Sequence, residues 1–341
     1  MVKFPELMTL YRKLSRSPKQ FLTVTGMNLH QFQALLPQFT AAFEYQEQQR
    51  KAVVVKTKAA RRRRAGGGSQ FAHELADQLL MLLIYYRLYL TQEFLTLLFK
   101  HQHKSSISRN ISQMRALFAE VLPTYGKAQG KVLSLAKKEQ VRRKQRISSI
   151  EEFKEAYPEL TFIIDGVEQE KRKPQNKEKR KSDYSKKKSR HTRKQIVIST
   201  PSGIIISQSK SVGGRAHDFK AFTEDQSVQE VCQAFGEHRV SLYADSGFQG
   251  IEDLNLPLEA RLIQRARRNH PLTRDQKRLN RLRSSTRIKV EHTFSRRKKY
   301  AIAASVYRNR DEDYDATMNV VSGLVNLRAF DRIFQRTGLA I

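Results

Sequence analysis

Three acidic residues stand where their carboxylates could do chemistry. Asp165 ends the apolar run TFII, and Asp245 ends the apolar run SLYA. Small residues follow each of them at once, so a carboxylate held at the end of a buried strand could be approached by a ligand. Asp-Gly pairs are also frequent turn formers, so either aspartate taken alone is compatible with a simple turn.

Glu291 is the third acid, and its surroundings are strongly basic. Twelve Lys or Arg residues lie between Asp275 and Asp311, and Glu291 is the one acid among them. If residues 273–300 form a helix, Arg287, Glu291 and Lys298 share one face within about 40°. One interpretation is an ordinary i, i+4 ion pair between Arg287 and Glu291. The other is a metal-binding carboxylate flanked by cations that grip a phosphate.

Three carboxylates in a basic field suit metal-dependent phosphate chemistry. Hard divalent cations prefer carboxylate and water oxygens. Two such ions can stabilise the attacking and leaving oxygens of a phosphodiester displacement. In this functional interpretation, Asp165, Asp245 and Glu291 are catalytic residues that hold two Mg²⁺ ions per active site, with Mn²⁺ as a substitute.

The composition favours a nucleic-acid partner. The 341 residues include 64 Lys and Arg against 33 Asp and Glu, a formal net charge of +31. Such an excess implies a polyanion that releases counterions on binding. A membrane surface is the rival, but the longest apolar run, residues 79–86, is far short of a bilayer span. The N-terminus lacks the apolar core of a signal peptide, and one cysteine excludes a disulfide framework, so we expect an intracellular protein.

Hydrophobic patterns divide the chain into a helical part and a mixed part. Short β-rich runs begin near residue 160: LTFIID, KQIVIST, GIIISQSK and RVSLYAD. The turn PSG between the second and third runs predicts an antiparallel meander of the first three. Strands followed by a long basic helix indicate a mixed α/β domain. We predict five segments, namely a helical segment 1–60, a basic Gly-rich linker 61–72, a helix-turn-helix domain 73–125, a basic connector 126–155 and a catalytic domain 156–335.

The segment TQEFLTLLFKHQHKSSISRNISQMRALF predicts two helices around a break. Thr91 and either Ser105 or Ser106 are the expected N-caps. This spacing suits a helix-turn-helix, although many helical hairpins that never touch DNA look the same. In the DNA-reading interpretation, the second helix presents outward Ser108, Arg109, Asn110 and Gln113. The linker would add Arg61, Arg62, Arg63 and Arg64.

Residues 160–330 resemble the catalytic domain of the DDE transposases of bacterial insertion sequences. The matching stretches are, in order, FIIDGVEQ, YSKKKSRHTRKQIVIS, SVGGRAHDFKAF, YADSGFQGI, RIKVEHTFSRRKKY and YRNRDEDYDATMNVVSGLVNLR. Asp245 follows Asp165 by 80 residues and Glu291 follows Asp245 by 46, which is compatible with that family. The helical region upstream resembles the helix-turn-helix that these proteins carry before the catalytic domain.

The resemblance implies an α/β fold with an RNase H-like mixed sheet flanked by helices, preceded by an all-α helix-turn-helix region. Asp165 would lie on the first strand of that sheet and Asp245 at the end of the fourth. Glu291 would lie on a helix that crosses behind them, and two divalent metal ions would bind the three acids.

Two further family features are matched. The signature of Tyr, two residues, Arg, three residues, Glu, six residues and Lys is met by Arg287, Glu291 and Lys298, but Ser284 takes the place of the tyrosine. The family's His-Asp pair is matched by His217 and Asp218, which we expect beside the site, in a structural hydrogen-bonding role or a functional one. The neighbour of Glu291, His292, is expected there too.

The implied activity is that of a DNA transposase. Such an enzyme binds the terminal inverted repeats of an insertion sequence, cleaves at the ends and transfers the 3′-OH to target DNA. The expected partners are double-stranded DNA and further copies of the chain, at least a homodimer, with no membrane and a cytoplasmic, nucleoid-associated location in a bacterium. The DNA contacts expected around the catalytic domain are Arg287, Arg296, Arg297, Lys298, Lys187, Lys188, Arg190 and His191.

Two other interpretations stay open. One is a catalytically inactive relic or repressor that binds DNA through the helix-turn-helix and the basic surface alone. The other is an RNA-binding protein, which charge alone suggests. The aromatic pattern of RNP-type modules is lacking, and this makes the second interpretation the weaker one.

Overall fold

The computed structural model describes residues 9–56, 74–100, 103–142, 161–235, 240–266 and 270–337. The chain divides into two units, one of residues 1–122 with 299–302 and one of residues 123–298 with 303–341. The predicted linker at 61–72, with its four arginines, lies outside the described residues. The limits predicted for the five segments stay predictions.

The first unit is all-helical, as predicted. Its helices are α1 (Leu10–Ser15), α2 (Pro18–Thr25), α3 (Leu29–Lys56), α4 (Leu75–Leu88), α5 (Gln92–Leu98) and α6 (Lys104–Val121). Eleven consecutive residues of α4, from Ala76 to Tyr86, are buried, because this helix is apolar on nearly every face. Helices α5 and α6 confirm the two helices predicted around a break.

The predicted N-cap of α5 is confirmed, whereas that of α6 is wrong. The Thr91 hydroxyl accepts a hydrogen bond from Phe94 N at 3.2 Å, as expected of an N-cap. The prediction of Ser105 or Ser106 as the second N-cap is wrong. Helix α6 begins at Lys104 with His103 as its N-cap residue, so both serines lie within the first turn.

The second unit carries the sheet. Its elements are α7 (Tyr125–Arg142), β1 (Thr161–Glu170), α8 (Lys177–Asp183), β2 (Tyr184–Ser185), β3 (Arg190–Ser199), β4 (Ile205–Gln208), β5 (Val212–Gly213), α9 (Asp218–Thr223), α10 (Gln226–Ala234), β6 (Ser241–Ala244), β7 (Glu259–Leu262), α11 (Arg274–Lys298) and α12 (Tyr314–Thr337). The strand order is β2-β3-β1-β6-β7, and β4 and β5 also pair with β3.

Strand direction divides the sheet into two parts. β1, β3 and β4 form an antiparallel meander, as the PSG turn predicted, whereas β6 runs parallel to β1 and β7 runs parallel to β6. The β-branched and aromatic residues of these strands and of the flanking helices form one core, which includes Phe162, Ile196, Ile206 and Phe235. The predicted fold class, a mixed RNase H-like sheet flanked by helices and preceded by an all-α region, is confirmed.

The basic connector expected at residues 126–155 differs from what the structure shows. Its described part belongs to α7, whose Ala128, Val132 and Leu135 are buried in the core of the second unit. These positions follow the i, i+4, i+7 pattern of a helix face, and the basic residues around them hid that pattern in the sequence. Residues 143–160 lie outside the described part of the chain.

No helix among the described residues is long and apolar enough to cross a membrane. α4 is the most apolar of them, but it has only 14 residues, and eleven of these are buried inside the first unit.

Asn326 joins α12 to the meander. Its side-chain oxygen accepts a hydrogen bond from Ile205 N at 2.7 Å, and its amide donates to Ile205 O and Pro123 O, both at 2.9 Å. All of these groups are buried. Asn326 therefore satisfies three backbone groups that water cannot reach.

Asn326→Ala should lower the free energy of unfolding by about 2–4 kcal/mol, because three buried backbone groups lose their partners. Urea unfolding followed by circular dichroism measures this loss. Gln335→Ala, at an exposed position of the same helix, should change stability by less than about 0.5 kcal/mol. Equal effects of the two substitutions would contradict a structural role for Asn326.

Candidate active site

The parallel pairing of β1 with β6 places two aspartates side by side. In the register of the two strands, Ile163 stands opposite Tyr243. Asp165 and Asp245 each lie two residues further along, so both leave the sheet at the same level and on the same face. Each strand reaches this point through fully buried apolar residues, which fix the position of the backbone.

We expected Asp165 at the end of its strand, but it lies in the middle of β1. β1 continues to Glu170 because it keeps pairing with β3. On the other side its partner β6 ends at Ala244. Beyond Ile163, therefore, β6 no longer pairs with this edge of β1. The resulting gap leaves space next to the two aspartates.

Backbone amides hold one oxygen of each carboxylate. Asp245 caps a short 3₁₀ turn, Ser246–Phe248, and its Oδ1 accepts a hydrogen bond from Gly247 N at 2.7 Å. Asp165 Oδ1 accepts from Gly166 N at 2.8 Å. These hydrogen bonds fix the orientation of each carboxylate.

A third aspartate, Asp218 at the start of α9, lies next to both of them. A Cβ atom added to Gly166 would lie 2.9 Å from Asp218 Oδ1. A Cβ added to Gly247 would lie 2.9 Å from Asp245 Oδ1 and 3.4 Å from Asp218 Oδ2. Glycine at these two positions is therefore required for three carboxylates to come together.

Lys194 of β3 offsets part of this negative charge from within the sheet. Its buried Nζ lies 2.8 Å from Asp218 Oδ1 and 3.3 Å from Glu168 Oε1, and it donates a hydrogen bond to Ala216 O at 2.7 Å. Lys194 and Glu168 are direct partners in the β1–β3 register. This lysine thus ties the aspartate of α9 to the central strands.

Helix α11 packs against both β1 and β6 and brings a second cation to the aspartates. Arg287 NH1 lies 2.8 Å from Asp165 Oδ2, while its NH2 lies 3.3 Å from Glu291 Oε1. The ordinary i, i+4 ion pair considered from the sequence is therefore present. The Glu291 side chain is 56% exposed, and it reaches the aspartates through Arg287.

Arg287 is held incompletely. Its Nε is buried and has no hydrogen-bond partner among the described residues. A buried donor without a partner costs free energy. The guanidinium therefore binds Asp165 through its charge and one well-formed hydrogen bond, while its Nε is left without a partner.

The crowded surroundings of Asp165 change the pKa of its carboxyl. Burial raises the pKa of this carboxyl from its usual 3.8 to about 6, since the charged form loses its hydration. Arg287 lowers this pKa, while the negative charges of Asp245 and Asp218 raise it. The site thus concentrates more negative charge than its two nearby cations offset.

The two central aspartates fit a divalent cation, and the glutamate fits it less directly. Asp165 and Asp245 offer hard carboxylate oxygens at adjacent positions, and a guanidinium already satisfies the demand for positive charge on Asp165. No group of three Asp, Glu, His or Cys side chains is arranged to hold a metal ion within the described residues. Arg287 lies between Asp165 and Glu291 and keeps these two carboxylates apart.

Of the remaining residues predicted near the site, two arginines are buried or partly buried and the others are exposed. Arg297 is buried and donates to Gln195 Oε1 at 3.3 Å, and burial lowers the pKa of its guanidinium. The prediction that Arg297 contacts DNA conflicts with this position, because its side of α11 packs into the unit alongside Val290 and Phe294. Arg296 is partly buried against Ser202. The residues exposed to solvent are Lys298, His217 and His292.

The basic run after β1 contains α8 and a short hairpin. Lys187 and Lys188 are exposed in the turn between β2 and β3. Arg190 is paired with Glu170 at 2.7 Å, and the His191 ring lies against the ring of Tyr184 with centroids 5.5 Å apart. This run therefore supplies exposed cations on an ordered framework.

In helix α6 the predicted DNA-reading positions differ in exposure. Arg109 is exposed, Ser108 and Gln113 are half-buried, and the Asn110 amide donates to Gln78 O of α4 at 3.1 Å. Asn110 thus joins two helices and does not face outward as predicted, because its side of α6 packs on α4.

Sequence reasoning missed Lys194 and Glu168. A lysine at the end of a run with many cations looks like surface charge. The available signal was the register of the meander, which opposes Lys194 to Glu168. That register can be counted only when the strand ends are known, and the sequence pattern predicts that β1 ends at Asp165.

A mixed sheet with this strand order, carrying aspartates on its first strand and at the end of the neighbouring parallel strand, defines an RNase H-like α/β protein. Residues 164–326 match the family model described as DDE superfamily endonuclease. The resemblance of this region to the DDE transposases of insertion sequences is therefore confirmed.

The chain is also similar to a curated protein, the probable transposase for insertion sequence element IS702 of Microchaete diplosiphon. The two are 30% identical over 170 residues, which cover 49% of this chain and 57% of that protein. The match thus spans little more than half the length of this relative. No solved structure gives a significant match.

Gly166→Ala should lower the free energy of unfolding by about 1–3 kcal/mol, because its Cβ would push Asp218 away from its place beside Lys194. Chemical denaturation in EDTA measures this effect without metal ions. Gly130→Ala is the matched control in α7, where an added Cβ meets nothing within 4 Å. It should be neutral or stabilise by up to about 1 kcal/mol. A neutral Gly166→Ala would show that the three carboxylates are not crowded.

Proposed function

We propose that this protein is the DNA transposase of an insertion sequence. It binds the terminal inverted repeats of the element, cleaves at its ends and transfers the freed 3′-OH to target DNA. The observation that carries this proposal is the pair Asp165 and Asp245 on adjacent parallel strands, with the cationic helix α11 packed across both strands. The match of residues 164–326 to DDE superfamily endonucleases supports the same reaction class.

Asp165 and Asp245 would hold the divalent cations, with Glu291 as a further ligand. Two bound Mg²⁺ ions, or Mn²⁺ in their place, supply activation of a water and stabilisation of the leaving oxygen. In the first step water oxygen bonds to phosphorus, and the bond from phosphorus to the 3′ oxygen breaks. In the second step the free 3′-OH attacks a phosphodiester of the target, and the displaced target strand leaves with its own 3′-OH.

Arg287 has two roles in this proposal. In the free protein it provides the positive charge that Asp165 needs. On the DNA it exchanges the carboxylate for a phosphate, for which a guanidinium is equally suited. That exchange frees Asp165 and Glu291 for metal when the substrate arrives. Lys298, which is exposed further along α11, neutralises a neighbouring phosphate.

The rest of the chain would supply binding and assembly. The helices α5 and α6 form the proposed helix-turn-helix, with Arg109 as its exposed cation. The net charge of +31 draws duplex DNA to the protein over long distances. Two ends must be cut and joined to one target, so the active form is proposed to be a homodimer or a larger assembly on DNA.

One observation favours a second candidate, an inactive DNA-binding relic. Glu291 is 56% exposed and paired with Arg287, which is also what a merely structural surface residue would show. A relic would keep the affinity for DNA ends and have no cleavage activity with any divalent ion.

Cleavage of DNA separates these candidates. With Mg²⁺ or Mn²⁺, the wild-type protein should nick duplexes that carry the inverted repeats bordering its gene. Asp165→Asn, Asp245→Asn and Glu291→Gln should each lower the cleavage rate about a thousandfold or more, since metal binding contributes several kcal/mol to the transition state. Gel electrophoresis of end-labelled DNA measures the rate.

The controls for this assay test binding and folding. All three variants should bind the same DNA within about threefold of wild type in electrophoretic mobility shifts. Asp253→Asn, at an exposed aspartate of the same unit, should cleave normally. Full activity of any of the three variants removes that residue from the site, and a wild-type protein that binds but never cleaves supports the relic.

The role given to Arg287 predicts a change in metal affinity. Without DNA, Arg287→Gln should bind Mn²⁺ about tenfold more tightly than wild type, because a positive charge leaves the neighbourhood of the carboxylates. Isothermal titration calorimetry measures this affinity. Arg281→Gln, at an exposed position of α11, should have little effect. Unchanged or weaker Mn²⁺ binding by Arg287→Gln would refute the exchange.

A further inference from the structure

An open cleft in the second unit is lined almost entirely by cations. Its volume is about 500 Å³, and its lining side chains are Lys177, Arg180, Lys181, Tyr184, Lys186 and Arg215. We call it the basic cleft. In the part of the chain that the structure describes, none of its five cations forms an ion pair with an acidic side chain. The cleft therefore holds uncompensated positive charge.

Close contacts hold the two walls of the basic cleft together. Asp183, at the end of α8, forms a buried ion pair at 2.9 Å with Lys171, the residue that follows β1. Arg215 N donates a hydrogen bond to Ser182 O at 3.1 Å. A Cβ added to Gly213 would lie 2.4 Å from that same oxygen, so α8 and the segment 213–218 are in close backbone contact. The two walls of the cleft are thus joined through the backbone of Ser182 and Arg215.

Tyr184 is the one aromatic residue of the basic cleft. Its side chain is 40% exposed, and it meets His191 nearly edge-on, with ring planes at 69°. An exposed aromatic ring among cations is the arrangement on which the bases of single strands stack, while the cations bind the backbone. The bases of an intact duplex stack on one another, so this ring would require an unpaired base.

The basic cleft is joined to the candidate active site by a short segment. Arg215 lines the cleft, and Asp218, three residues later, lies beside Gly166 and Gly247. Three residues span at most about 11 Å, which is about three nucleotides of a stacked strand. Lys194 clamps this segment by contacts to Ala216 O and Asp218 Oδ1. A strand in the cleft could therefore be the strand that enters the active site.

We infer that the basic cleft binds the single-stranded DNA segment flanking the cleaved phosphodiester, with its phosphates on the five cations and an unpaired base stacked on Tyr184. This inference rests on the proposed function, since it takes DNA as the substrate of the adjacent aspartates. It adds that the DNA end is locally unpaired when it is bound.

Binding to two forms of one DNA end tests the inference. One form is a blunt duplex, and the other carries a five-nucleotide single-stranded flank with 2-aminopurine as its base analogue. In EDTA, which prevents cleavage, fluorescence anisotropy of the full chain should show about tenfold tighter binding of the flanked form. Tyr184→Ala should weaken binding of the flanked form about 5- to 100-fold and leave that of the blunt duplex unchanged.

Three comparisons make the result specific. Tyr184→Phe keeps the ring and should bind like wild type, with the same quenching of 2-aminopurine fluorescence. Arg215→Ala should weaken the flanked form more than the blunt one. Tyr45→Ala replaces a tyrosine of α3 that is 58% exposed and should change neither. Circular dichroism and thermal unfolding establish that each variant is folded.

The inference fails if wild type binds both forms equally, or if Tyr184→Ala weakens both to the same extent. Either result would make the cleft a duplex-binding surface or no DNA site at all. The cleavage experiment on the aspartates is separate. If the wild type cleaves DNA but Tyr184→Ala does not change binding, only the inference about the cleft fails. If the wild type prefers the flanked DNA but never cleaves it, only the proposed transposase activity fails.

Discussion

The parallel pairing of β1 with β6 is the constraint on which the rest of the site depends. It sets two aspartates at the same level of adjacent strands, where the backbone leaves them a few ångströms apart. Burial and mutual repulsion make this arrangement unfavourable unless positive charge is close by. The surrounding structure supplies that charge from two directions, Arg287 on the crossing helix α11 and Lys194 on the neighbouring strand β3.

Small residues are as necessary as the charged ones. Gly166 and Gly247 leave the space in which Asp218 approaches the other two aspartates. The interruption of β6 at Ala244 leaves β1 without a parallel neighbour beyond Ile163. A concentrated patch of negative charge can therefore exist inside a chain of net charge +31. In the proposed function, long-range attraction would bring a polyanion to the protein, and the local acids would recruit cations at one place.

The same backbone supports the acids and the basic cleft. β1 carries Asp165 at its centre, and Lys171, the residue directly after the strand, anchors α8 through Asp183. The segment from Gly213 to Asp218 forms a wall of the cleft and then reaches the acids. These parts belong to one sheet and its immediate connections, so the cations of the cleft and the acids are held by the same backbone. In the proposed function, such preorganisation would lower the cost of binding a flexible polymer.

Local patterns in the sequence determined much of this protein. Apolar runs located the strands, helical spacing located the long basic helix, and the unusual position of single acids among cations pointed to Asp165, Asp245 and Glu291. Only the tertiary structure decided that Asp165 lies mid-strand, that Lys194 and Asp218 join the acids, that Arg297 is buried and that Arg287 stands between Asp165 and Glu291. The physical reason is that composition and periodicity report how a residue relates to its near neighbours in the chain. Charge compensation in the site depends on strand register and helix rotation, which bring together residues more than a hundred positions apart.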